Sequence, residues 1–112
     1  MQTENTYPLL KESLEFTFNV TKYSEILERE KKKTIAIKLL QSGLKINSYL
    51  FEANTALRLD DVKYKLEKAK ISTDEALYWL IQCVKSNYFL VDNDTIDMGK
   101  RLSENISNSL KV

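Results

Sequence analysis

Reactive side chains are scarce in this sequence. Its 112 residues include no histidine. That closes Ser-His-Asp hydrolysis, histidine acid–base catalysis and ordinary zinc catalysis. The single cysteine, Cys83, cannot make an internal disulfide or a cysteine zinc site. It falls on an apolar helical stripe with no flanking cation to lower its pKa, so it reads as a small buried hydrophobe before it reads as a nucleophile. Glu52, Glu67 and Glu75 are the residue type from which bundles build di-iron sites, yet they lie off the apolar stripes and the histidine partners are missing. The two glycines, Gly43 and Gly99, are too far apart for a phosphate-cradling loop. The expectation is a protein that is not an enzyme, with no catalytic residues, no metal ligands and no cofactors.

Side chains suited to binding are more plentiful. Asn47 and Asn54 lie near the edge of a buried stripe. They read as a polar pair that fixes the register of a helix seam, or as hydrogen-bonding groups for a ligand. Ser42 and Thr73 read as small residues for tight packing. Charge is nearly balanced at +1 but unevenly spread, with ten basic against four acidic residues in 31–70 and an acidic excess on either side. Lys31, Lys32, Lys33, Lys38, Lys45, Arg58, Lys63 and Lys70 are therefore the candidate phosphate contacts for RNA or DNA. The competing reading makes them the solvated faces of two helices, since acidic residues are interleaved and only one arginine, Arg58, lies in this region, arginine being the better phosphate clamp. The aromatics exceed what a small core can hold. Tyr49, Phe51, Tyr64, Tyr78 and Trp79 include several that sit beside the apolar stripes, and adjacent Tyr78 and Trp79 point about 100° apart on a helix. Tyr and Trp favour buried interface centres, so these five are the candidate self-association residues.

The elements that must position these groups are helices. With two glycines and one proline the chain lacks the turns that hairpin-rich folds require, and 43% hydrophobic against 29% charged residues is globular composition. Leu9, Phe16, Val20, Tyr23 and Leu27, widened by Leu10, Leu14 and Phe18, predict a helix over about 8–28 with Pro8 in its first turn. The charged run 28–33 ends it, unless one long helix continues. Leu39, Gly43, Ile46, Leu50, Ala53 and Leu57 mark a second over 33–57, with Gly43 admitting a close neighbour. Val62, Leu66, Ala69, Thr73, Ala76, Leu80 and Cys83 mark a third over 61–86, capped by Asp60 or Asp61. A turn around 87–93 precedes a fourth over 93–110, capped by Asp92 or Asn93, with Ile96, Gly99, Leu102, Ile106 and Leu110 inward. Short links between long helices predict one all-α domain over 1–112, an antiparallel up-down-up-down four-helix bundle. No apolar run is long enough to span a membrane and the opening residues are polar, so a cytoplasmic protein is expected.

The stretch Leu39-Leu40-Gln41-Ser42-Gly43 through Ile46 to Glu52-Ala53 resembles the "four-helix bundle protein" family, bacterial proteins encoded in rRNA intervening sequences. Lys65-Leu66, Ala69, Glu75 and Tyr78-Trp79-Leu80 follow in the family's order, and residues 5–10 and Tyr88-Phe89-Leu90 also agree. Tyr49 stands where the family usually has Asn, and Phe51 where it has Glu. The resemblance implies an antiparallel bundle that assembles as a cyclic homo-oligomer, commonly a pentamer. It also implies kinship with the accessory variability determinant proteins of diversity-generating retroelements, which work with a reverse transcriptase and nucleic acid. The partners it implies are other copies of the chain, or alternatively nucleic acid, with a reverse transcriptase or rRNA.

Overall fold

The structure is a computed structural model and describes residues 2–86 and 91–111. Four helices follow one another: α1 (Gln2–Arg29), α2 (Lys33–Thr55), α3 (Leu59–Lys85) and α4 (Asn93–Leu110). No strand occurs among the described residues. Each helix packs on its two neighbours, in the cyclic order α1, α2, α3, α4, to make an antiparallel bundle 44 × 21 × 17 Å in extent.

The break between α1 and α2 is built without glycine. Lys31 takes φ 65°, the left-handed conformation. Its N–H reaches the Glu28 carbonyl at 3.0 Å, and the Lys32 N–H reaches the Leu27 carbonyl at 2.8 Å. These two bonds satisfy carbonyls that the helix end leaves open, the pattern usually completed by glycine. At the far end of α2, the Thr55 hydroxyl reaches the Phe51 and Glu52 carbonyls at 3.2 and 3.3 Å, and the backbone turns extended at Ala56. The helix thus stops two residues before the expected 57. Leu57 leaves the stripe and stands 99% exposed in the link.

Three further boundaries bear on expectation. α1 starts at Gln2 rather than near 8, placing Pro8 inside the helix on its exposed side, where loss of one helical hydrogen bond is best tolerated. α3 starts at Leu59, so Asp60 and Asp61 do not cap it; they sit in its first turn, favourably placed against the positive end of the helix dipole. Arg58 holds the cap position without a side-chain bond. α4 begins as expected, with the Asp92 carboxylate accepting from the Thr95 N–H at 2.7 Å. Most of the turn expected around 87–93 lies outside the described residues.

The apolar stripes meet in one core. Phe16, Val20 and Leu27 from α1 join Leu39, Ile46 and Leu50 from α2, Leu66, Ala69 and Leu80 from α3, and Leu102 and Ile106 from α4. Leu14 and Phe18 depart from the expected stripe and face outward, half or more exposed. Each follows an inward residue, Ser13 or Thr17, by one position, a rotation of about 100° around the helix.

Candidate interaction site

The seam between α1 and α2 is held by polar side chains. Thr6, Ser13, Thr17 and Ser24 are buried along one edge of α1. Ser13 donates to Asn47 Oδ1 at 2.9 Å, and Asn47 Nδ2 donates to Thr17 Oγ1 at 2.8 Å. Thr6 donates to Asn54 Oδ1 at 3.0 Å, and Ser24 to the Ala36 carbonyl at 2.9 Å. Both asparagines therefore act within the seam and fix its register. Gly43 lies on the same seam, one turn before Asn47, where an added Cβ would lie 3.1 Å from Val20 Cγ1. Among the described residues, no buried side-chain nitrogen or oxygen lacks a partner. Ser42 and Thr73 bond back to the Lys38 and Ala69 carbonyls, within their own helices.

Cys83 is fully buried, and burial pushes its thiol up to about 11, the opposite of what a nucleophile needs. Glu52 is engaged by Lys65 at 2.7 Å, and this hydrogen bond holds the Lys65 ammonium above the usual lysine value. No group of three or more metal-ligating side chains gathers among the described residues. At the α4 cap, Tyr23 donates its hydroxyl proton to Asp92 and accepts the Asp92 N–H at 3.0 Å. The Tyr23 hydrogen bond depresses the Asp92 pKa, while partial burial raises that of Tyr23. A groove of about 260 Å³ lined by Glu12, Glu15, Met98, Arg101 and Asn105 marks the looser seam between α1 and α4.

The basic residues are not gathered into one patch. Lys31, Lys32 and Lys33 lie at the α1–α2 end, whereas Arg58 lies at the other end of α2, roughly 33 Å away at 1.5 Å per residue. Lys70 is occupied by Asp74 at 2.8 Å, and Asp74 also accepts from Ser103. Lys63 is half-buried on α3. Lys38 and Lys45, seven residues apart, share one strip of α2 with Glu52. Lys68, absent from the candidate set, joins the same side, its ammonium 5.5 Å above the Tyr64 ring.

Of the aromatic candidates, Tyr49, Tyr64, Tyr78 and Trp79 are brought to the α2–α3 side. Lys65 lies 5.7 Å from the Tyr49 ring and 5.6 Å from the Tyr64 ring. Tyr78 and Trp79 meet edge to face at 5.0 Å, with Trp79 half-buried against the core and Tyr78 exposed. Phe51 is exposed elsewhere on α2, in series with Ile37 and Leu44 at seven-residue spacing. Ile37 and Leu44, and Leu14 and Phe18 on α1, join Phe51 as surface groups beyond the expected five, and the 37–44–51 spacing is a second helical stripe legible in the sequence.

No family model matches the chain, and no curated protein matches it. A solved structure of a protein of unknown function, from the S23 ribosomal protein family of Bacteroides thetaiotaomicron, has the same fold. The two superpose with a TM-score of 0.87 over 96% of this chain and 99% of that one, at 22% sequence identity. Within the described residues, no helix is long and apolar enough to cross a membrane.

Proposed function

We propose that this chain is a non-catalytic, self-assembling bundle that serves as a scaffold or accessory subunit in the cytoplasm. The observation that carries this reading is the outer surface of α1, α2 and α3. Leu14, Phe18, Ile37, Leu44, Phe51, Tyr64, Ile71 and Tyr78 all stand more than half exposed. Isolated exposed apolar residues need no explanation, but series repeated every seven positions along a helix do. The S23-family likeness supports placing the chain among the rRNA intervening-sequence bundle proteins, for which a ring of five copies is the expected assembly. Light scattering coupled to size exclusion, at tens of micromolar, tests the reading. A discrete multiple of the chain mass is expected, and a monomer throughout would overturn it.

A second reading is favoured by one observation: Lys38, Lys45 and Lys68 share the α2–α3 side with exposed Tyr64 and Tyr78. Cations interleaved with aromatic rings suit single-stranded nucleic acid, with rRNA or the template of a reverse transcriptase as the partner. Binding of this kind falls steeply with salt. Fluorescence anisotropy with labelled RNA should show that slope, and no binding at low salt would dismiss it.

A further inference from the structure

We propose that the outer face shared by α1 and α2 is the surface on which a second copy of this chain docks. The proposal rests on the self-assembly reading and assigns its contact. Hydrogen bonds fix which residues lie side by side across this seam: Thr6 beside Asn54, Ser13 and Thr17 beside Asn47, Ser24 beside Ala36. One step outward from those pairs come Tyr7, Leu10 and Leu14 on α1, and Ile37, Leu40, Leu44 and Phe51 on α2. Ile37 and Leu40 border the same shallow cleft as Ser24 of α1. The apolar groups therefore form one band along the seam rather than two separate ridges.

Charge distinguishes this face from the others. Most charged residues of the two helices are turned away from the band, while exposed Lys11 and Glu25 of α1 share the helical strip of Tyr7 and Leu14. Glu12 accepts from Asn105 of α4, and Glu15 lines the groove beside Met98 of α4. Glu52 pairs with Lys65 of α3, and Lys38 and Lys45 share its strip. At one end Glu28 and Lys33 also approach, and they are of opposite sign. The α2–α3 side, by contrast, sets Lys38, Lys45 and Lys68 among its aromatics. Interface centres are depleted of charge. Tyr7, Leu14, Ile37, Leu44 and Phe51 are each more than half exposed and offer on the order of 100 Å² apiece, with less from the half-buried Leu10 and Leu40, so the band supplies the larger part of the ~800 Å² per partner that a stable complex buries.

Light scattering on three single variants tests the assignment, with circular dichroism to confirm that each remains helical. Leu44→Glu, at the centre of the band, should reduce the assembled mass to that of smaller species or the single chain. Leu14→Lys, on the other helix, should do the same. Glu104→Lys, exposed on the outer side of α4, should leave the mass of the unaltered protein. All three substitute exposed positions, so folding should survive. An assembled protein whose mass is unmoved by Leu44→Glu and Leu14→Lys would overturn this assignment while leaving self-assembly intact. An unaltered protein that is monomeric would overturn self-assembly itself, and the assignment with it.

Discussion

Lys31 holds a backbone conformation that costs an L residue about 1–2 kcal/mol, and it does so because the two carbonyls of Leu27 and Glu28 need its turn. Lys31→Gly should therefore raise stability by about 1 kcal/mol, read as a higher midpoint in urea. Nothing in the lysine-rich run marked this position, since the usual glycine is absent and only the backbone reveals the need. Asp92 was legible as a cap; its bond to Tyr23, 69 residues earlier, was not. Asp92→Ala should cost about 1 kcal/mol through loss of the cap. Asp92→Asn keeps a capping oxygen but no titrating charge. The Asp92 pKa is depressed in the folded chain. Such a carboxylate stabilises the fold above its unfolded value near 4, and loses that contribution as the pH falls through the folded value. The stability advantage of the unaltered protein over the Asp92→Asn variant should thus be full at neutral pH and fade below about pH 4, measured by urea melts across that range.

Among the elements, the inward stripes were the most legible part, because burial on one side of a helix leaves a repeating mark in the sequence. α3 and α4 keep every stripe residue buried or half-buried. The outward turn of Leu14, Phe18 and Leu57 was hidden, since an apolar residue looks the same whether it faces a core or another molecule. Gly43 was readable as a close approach, but Gly99 is the tighter of the two. A Cβ there would lie 2.6 Å from Leu77 Cδ2 and 2.8 Å from two atoms of the Phe16 ring. Phe16 is fully buried and cannot yield cheaply. Alanine gains about 1 kcal/mol of helix propensity at either site, while overpacking costs about 1–3 kcal/mol. Gly99→Ala should be destabilising, whereas Gly43→Ala, facing Val20 at 3.1 Å, should fall near neutral. Thermal melts of the two variants side by side would check that order.

For the whole molecule, the uneven spread of charge along the chain becomes a difference between faces. α4 exposes no large hydrophobic side chain, the α2–α3 side mixes lysine with tyrosine, and the α1–α2 face carries the longest apolar series, with charges of both signs at its edge. The surplus of aromatics was legible in the sequence, but of the exposed rings only Tyr64 and Tyr78 belong to the charged side, while Tyr7, Phe18 and Phe51 stand on α1 and α2. The aliphatic band is not legible residue by residue, because Ile37, Leu40 and Leu44 resemble core residues, and only the seam's register unites them with Leu10 and Leu14. This difference makes the salt response of assembly diagnostic. Contacts between solvent-exposed charges are screened once the Debye length shrinks from about 10 Å at 0.1 M to about 3 Å at 1 M. Apolar burial does not depend on such charges, and salts excluded from the surface strengthen it. Self-association through the α1–α2 face should therefore hold or tighten between about 0.1 and 1 M salt, with sulfate more effective than chloride. Sedimentation equilibrium over that range would measure it. A weakening of about tenfold or more would place the contact on the lysine-bearing side instead, where opposite charges on two copies attract and salt pulls them apart.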